Sequence, residues 1–206
     1  MVAEGFNDAN SKFNVNRLHK LKVRQPQSLY DHAYLERFNA LQNQKPVQMI
    51  VAAGPFTSKG DLLYDGLQEL MARVRQEMPH VLMLMGPFVD GMNEDVKSGN
   101  ICFRNSTGSL EFLDFNDLFS KVMEYIKSEL AALKVKTKLI VVPSAREIHH
   151  MNPLPQPAFS ASQFPKDMEP VVLANPQMFR VNEMTFGVIN ADVVKDLCAS
   201  THNKGL

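Results

Sequence analysis

The chain has 206 residues, 45% of them apolar, with 22 Lys+Arg balanced by 22 Asp+Glu and a formal net charge of zero. That length builds one ordinary domain, or one domain plus part of a second. A neutral chain has no global attraction to phosphate backbones, so nucleic-acid contact is expected to be local or to come through a partner. No apolar run reaches the roughly 18 residues of a membrane span, and the polar opening holds no signal-peptide core. Cys102 and Cys198 stand outside any CxxC pattern and read as free thiols of the cytosol or nucleus.

Taken in chain order, Glu4-Gly-Phe-Asn7 and Phe13-Asn-Val15 read as the tail of an all-β element. Three short apolar runs follow: Val47–Ala53, Val81–Met85 and Leu139–Val142. They are continuous rather than alternating and end in Gly or Pro, the pattern of strands covered on both faces by helices. Between the first two, Leu63, Leu67, Leu70, Met71 and Val74 recur at helical spacing within Asp61–Glu77, before Pro79. Between the second and third, Leu118, Val122, Ile126, Leu130 and Leu133 mark one face of a helix over Phe115–Leu133. Asp114 is placed to cap it and Asp117 to favour its positive end. Strand, helix, strand, helix, strand predicts an α/β fold with parallel strands and crossover helices.

Gly91–Ser109 reads as a long polar excursion after the second strand, and Pro143–Pro170, with six prolines, as irregular chain. Val171–Leu173, Phe179–Val181 and Thr185–Ile189 read as strands, the last two joined by a turn at Asn182-Glu183. Ala191–Ala199 reads as a short helix. The pattern stops at Leu206 without a closing strand, so a fragment of a longer chain is expected.

The first two strands end in the same tripeptide, Gly54-Pro55-Phe56 and Gly86-Pro87-Phe88, and the third in Pro143-Ser144-Ala145-Arg146. Strand carboxyl ends are where open α/β sheets bind ligands. A phosphate cradle would need consecutive backbone N–H groups, and Pro55 and Pro87 each delete one. No Gly-Lys-Ser/Thr sequence is present. A dinuclear metal centre would draw on Asp90, Glu147, His149 and His150, but adjacent histidines diverge and one loop carboxylate is too few. The favoured reading is a hydrogen-bonded cluster of Arg146, Glu147 and the histidines that orders the proline-rich loop. Ser144 lacks a nucleophile elbow. Cys102 beside Arg104 reads as an inert thiol. Met71, Met83 and Met85 read as core, and Lys134, Lys136 and Lys138 as a solvated edge.

Three strand ends agreeing in order and spacing carry a resemblance. Val51-Ala-Ala-Gly-Pro-Phe-Thr57, Leu82-Met-Leu-Met-Gly-Pro-Phe-Val-Asp90 and Val141-Val-Pro-Ser-Ala-Arg-Glu-Ile-His-His150 resemble the B subunits of the replicative DNA polymerases. The His149-His150 pair and Pro153-Leu-Pro-Gln-Pro-Ala-Phe159 favour the polymerase alpha branch over delta or epsilon. The likeness covers about residues 45–200 and includes Phe179–Asp192. The signature positions are Gly54, Pro55, Phe56, Gly86, Pro87, Phe88, Asp90, Pro143, Ser144, Arg146, His149 and His150.

That family is related to calcineurin-like metallophosphoesterases. The resemblance implies a metallophosphoesterase-like layered fold, with central sheets flanked by helices and the metal site lost. An active member carries Asp-x-His, Gly-Asp-x-x-Asp, Gly-Asn-His-Asp/Glu and a later Gly-His-x-His. Here Pro87 replaces one aspartate, Pro143–Arg146 lacks the Asn and His, and Gly187-Val-Ile-Asn190 offers no imidazole. Glu147 stands where the family usually has Asp. The resemblance places Arg146 as positive charge where a metal once sat, and implies no catalytic residue, metal or cofactor.

It further implies a non-catalytic nuclear scaffold. Such a scaffold holds the zinc-bearing C-terminal domain of the catalytic subunit of DNA polymerase alpha and the primase subunits. It supports primer synthesis in replication and telomere fill-in, in contact with telomere-associated complexes, and touches DNA weakly or indirectly. Residues 1–25 become the tail of an OB-fold, 26–45 a linker, and 46–206 the inactive domain, truncated at its C-terminal end. The competing enzyme reading is a divergent phosphoesterase using Asp90, His149 and His150.

Overall fold

The computed structural model describes residues 15–18, 33, 36, 47–58, 61–99, 101–104, 110–134, 136–150, 153–182 and 184–200. The expected OB-fold tail, apart from residues 15–18, and nearly all of the expected linker lie outside them. The elements are β1 (Val15–Leu18), β2 (Met49–Ala53), α1 (Asp65–Glu77), β3 (Val81–Met85), α2 (Glu94–Ser98), β4 (Cys102–Arg104), β5 (Leu110–Phe112), α3 (Phe115–Ala131), β6 (Lys138–Val142), β7 (Val171–Val172), β8 (Gln177–Val181), β9 (Met184–Val188) and α4 (Val193–Ser200).

The three apolar runs form neighbouring parallel strands, in a sheet of order β2-β3-β6-β7. Side chains alternate across this sheet and sort into two cores. Leu82, Leu84, Leu139 and Val141 face α1 and α3, whose Leu67, Met71, Val74, Leu118, Val122 and Ile126 complete that core. Val81, Met83, Ile140 and Val142 face the other way, onto Phe179, Val181 and Val188 of β8 and β9. The order is therefore helices, parallel sheet, antiparallel sheet.

This corrects the expectation of helices on both sides. Chain order β2, β3, β6 steps across the sheet in one direction, and right-handed crossovers in one direction land on one face. The opposite face is covered by the second sheet, of order β1-β8-β9. β1 pairs antiparallel with β8, Val15 opposite Val181.

Other differences are local. The Val47–Ala53 run is an edge strand among the described residues, with Val51 outward and half exposed, not a strand covered on both faces. The first helix begins at Asp65, not Asp61. Asp61 Oδ1 accepts the Leu63 N–H at 3.1 Å and Tyr64 takes a left-handed turn, which leaves Leu63 exposed and points Tyr64 inward. The 91–109 excursion holds α2, capped by Asn93, and β4, paired with β5. Asn182 adopts φ 52° at the β8–β9 turn, the left-handed conformation that asparagine tolerates best after glycine. Asp114 caps α3 by accepting the Asp117 N–H at 2.7 Å, as the sequence predicts.

The β2 and β3 strand ends pass in backbone contact. A Cβ added to Gly54 would meet the Pro87 carbonyl oxygen and lie 2.9 Å from its nitrogen, whereas one added to Gly187 meets nothing within 4 Å. Gly54→Ala is expected to lower stability to denaturant by about 1–3 kcal/mol, the usual range for overpacking. Gly187→Ala is expected to raise it by about 0.5–1 kcal/mol, through reduced unfolded-state freedom. Equal behaviour of the two variants would show that the strand ends yield.

Candidate functional site at the strand carboxyl ends

Gly54 N–H donates to Met85 O at 2.8 Å and Gly86 N–H to Val142 O at 2.9 Å, so the ladder runs into both Gly-Pro-Phe turns. Both Gly-Pro bonds are cis. The two phenylalanines stack on each other, Phe56 and Phe88 lying 5.4 Å apart between ring centres. Phe88 also meets Phe119 of α3 at 5.9 Å and Phe159 of the proline-rich loop at 6.1 Å. The repeated tripeptide thus supplies a close backbone passage and an aromatic plug beneath it.

The acidic group these turns hold is the protein's own. Glu147 is fully buried, and its carboxylate accepts the N–H of Phe88 at 2.6 Å and of Val89 at 3.1 Å. A Cβ on Gly86 would run into Glu147 Oε1, so glycine there makes room for the carboxylate. Burial pushes the Glu147 carboxyl up to about 8, opposed by the two N–H donors and reinforced by nearby Asp90. Burial likewise raises the Tyr64 hydroxyl, helped by the charges of Glu147 and Asp90. That hydroxyl donates to Phe88 O at 2.8 Å.

Asp90 is buried and faces Arg146. Its Oδ1 accepts Arg146 Nε at 3.0 Å, and its Oδ2 pairs with Arg146 Nη2. Fork-to-fork pairing of this kind fixes the guanidinium plane. His149 lies in a different place, side by side with Phe119 at 4.5 Å and parallel to Phe159 at 5.8 Å. Both its ring nitrogens are buried without a hydrogen bond, Nδ1 lying 3.7 Å from Glu147 Oε2. Burial, then the neighbouring His150, pushes His149 down to about 4, so the ring is neutral near pH 7. His150 Nε2 bonds Pro157 O at 2.8 Å.

A second network closes the β6 end. Gln156 Nε2 donates to Ser144 O at 2.9 Å. Asn175 Nδ2 donates to Gln156 Oε1 and to Asn190 O, each at 2.9 Å. Asn175 Oδ1 accepts the Asn190 N–H at 2.8 Å. Asn190 Nδ2 reaches Gly86 O at 2.9 Å and Pro143 O at 3.1 Å, tying the β3 and β6 ends together.

The predicted positions therefore divide. Gly54, Pro55, Phe56, Gly86, Pro87 and Phe88 form the turns and plug; Asp90 and Arg146 form the ion pair; Pro143, Ser144 and His150 anchor the proline-rich loop. Asp90 and His149, which the enzyme reading needs together, do different jobs. The hydrogen-bonded cluster expected from Arg146, Glu147 and the histidines is replaced by separate contacts: Arg146 bonds Asp90, Glu147 the Phe88 and Val89 amides, His150 the Pro157 carbonyl, and His149 packs as an aromatic ring. The roles of Gln156, Asn175 and Asn190 are not foreseen from the sequence, and Glu147, expected in a polar cluster of the proline-rich loop, sits instead beneath the β3 turn.

A dinuclear metal centre does not fit these side chains. Both oxygens of Asp90, the one aspartate on the β3 turn, are engaged by Arg146, Pro87 three residues earlier offers no ligand, and Asn190 directs amide donors at carbonyls. Among the described residues no three His, Cys, Asp or Glu side chains converge as a metal site.

Residues 49–206 match the family of the B subunit of DNA polymerase alpha/epsilon. The chain belongs to that family. It is similar to the DNA polymerase alpha B subunit of Rattus norvegicus, 25% identical over 98% of this chain and 31% of the relative. It is likewise similar to the proteins of that name from Bos taurus, 28% identical over 94% and 29%, and Saccharomyces cerevisiae, 29% identical over 79% and 23%. The chain spans about three-tenths or less of the length of these curated relatives. The family match begins at the first residue of β2 and takes in every strand end described above.

Glu147 gives this site a pH signature. A carboxyl raised in the fold, from 4.5 to about 8, stabilises fully below the unfolded value and loses that contribution as pH rises through about 8. His149, lowered from 6.5 to about 4, contributes fully above the unfolded value and loses it as pH falls through about 4. Urea midpoints should thus fall between pH 6.5 and 8.5 in the parent chain. Glu147→Gln, which keeps an acceptor but cannot titrate, should flatten that slope; an unchanged slope would assign it to other groups.

Proposed function

We propose that this chain is part of a non-catalytic accessory subunit of DNA polymerase alpha, working as a scaffold in the nucleus. Its partner is the zinc-bearing C-terminal domain of the catalytic subunit, and through it the primase subunits. In that setting it supports primer synthesis at replication initiation and telomere fill-in, with DNA contact weak or indirect. The observation that carries the reading is the Asp90–Arg146 pair: a cation of the chain itself holds the acidic group that a phosphoesterase would give to a metal. The family match supports it, and the relatives named above, which bear the polymerase alpha name, favour alpha over epsilon or delta.

The same reading takes residues 46–206 as an inactive phosphoesterase-like domain, preceded by a linker over 26–45 and the tail of an OB-fold over 1–25, of which Val15–Leu18 adds a strand to the β8–β9 sheet of that domain. Arg146 stands in charge for the lost metal, and a stoichiometric pair of ions found by metal analysis would overturn that role.

Co-purification with the C-terminal domain of a polymerase alpha catalytic subunit is the direct test. A stable complex is expected, together with no manganese-dependent hydrolysis of a generic phosphodiester. Turnover that disappears in His149→Ala or His150→Ala would reverse the conclusion in favour of an enzyme.

A further inference from the structure

The turns after β3 and β6 are laced edge to edge. Gly91 N–H donates to Arg146 O at 2.9 Å and Ile148 N–H to Val89 O at 3.2 Å, with the Asp90–Glu147 bridge between them. Met92 N–H donates to Asp90 Oδ1 at 3.0 Å. Side chains diverge across this pairing: Glu147 goes in, while Arg146 and Ile148 go out. Gly91 lies under Ile148, since a Cβ there would sit 3.5 Å from Ile148 Cδ1.

The outward side is an apolar shelf beside a fixed cation. Met92 is 58% and Ile148 37% exposed, both on backbone pinned by the hydrogen bonds above. The Arg146 side chain is 47% exposed. Asp90 takes Nε and one Nη, and a guanidinium has five N–H donors, so three remain for another acceptor. Asp90 lies buried beneath Arg146, so the ion pair is a dipole whose positive end, with its remaining N–H donors, faces outward.

We propose that the face made by Met92, Arg146 and Ile148 docks a protein segment that brings a carboxylate to Arg146 and an apolar side chain to the Met92–Ile148 shelf. Charge complementarity selects the carboxylate, because bidentate acceptors match the free edge of a guanidinium. Arg and Met are enriched in interface cores, and a surface already rigid before binding loses little freedom on docking. The inference rests on the scaffold reading, taking as occupant the C-terminal domain of the polymerase alpha catalytic subunit.

The full 206-residue chain and its variants Met92→Asp and Ile148→Asp can be titrated with that domain by calorimetry. Val194→Asp on the exposed apolar face of α4 serves as comparison. Each of the first two should raise Kd at least tenfold, Met92→Asp at unchanged melting temperature because that side chain is mostly in water, and Val194→Asp should leave Kd within twofold. Added salt should weaken the parent complex. Parent-like binding by both shelf variants overturns the docking face and leaves the scaffold reading standing, as does loss confined to Val194→Asp. No binding by the parent chain overturns both. Should Ile148→Asp fail to fold, Met92→Asp decides alone.

Discussion

A buried carboxyl group sets the geometry of the strand ends. Glu147 lies beneath the β3 turn and accepts two successive N–H groups from it. That position requires glycine at 86, orients Phe88 towards Phe56 and Phe119, and brings Asp90 opposite Glu147 in the backbone bridge. Turning Glu147 inward turns Arg146 outward, where it meets Asp90. Hydrogen bonds to consecutive amides are the way a turn holds an anion; here the turn is already filled from inside.

This changes the meaning of the prolines. In the sequence, Pro55 and Pro87 count against a phosphate cradle because each deletes an N–H donor. The structure adds that the donors remaining after Pro87 are engaged by Glu147. An external anion would have to displace a fully buried side chain from those amides, leaving its carboxyl group without the two bonds it makes there.

What can be read from the sequence is what is local. Continuous apolar runs mark the β3 and β6 strands, helical spacing marks α1 and α3, and Asp114 announces its own cap. Each signal is carried within a few residues of its effect. The face on which the helices pack depends on strand order, which no single window contains. β2 resembles an interior strand because its composition matches β3, yet its outer edge pairs with no described strand. Glu147 reaches amides 58 and 59 residues away, and Asn190 reaches a carbonyl 104 residues away. Neither pairing leaves a local trace. In the sequence Asn190 stands out only for the imidazole it lacks, although its side-chain Nδ2 donates to two carbonyls while its own main-chain N–H and C=O meet the amide of Asn175.

The Asn190 bridge bears on the order of assembly. Its partners are Gly86, Pro143 and Asn175, so it can close only once β3 and β6 are paired and the β8–β9 hairpin has docked on them. Loop closure over such separations comes late, when the entropy of the intervening chain has already been given up. Interactions made after the rate-limiting step do little for the speed of folding and act mainly by slowing escape from the folded state. The polar network is therefore a kinetic clasp, governing how long the two sheets stay together rather than how fast they meet.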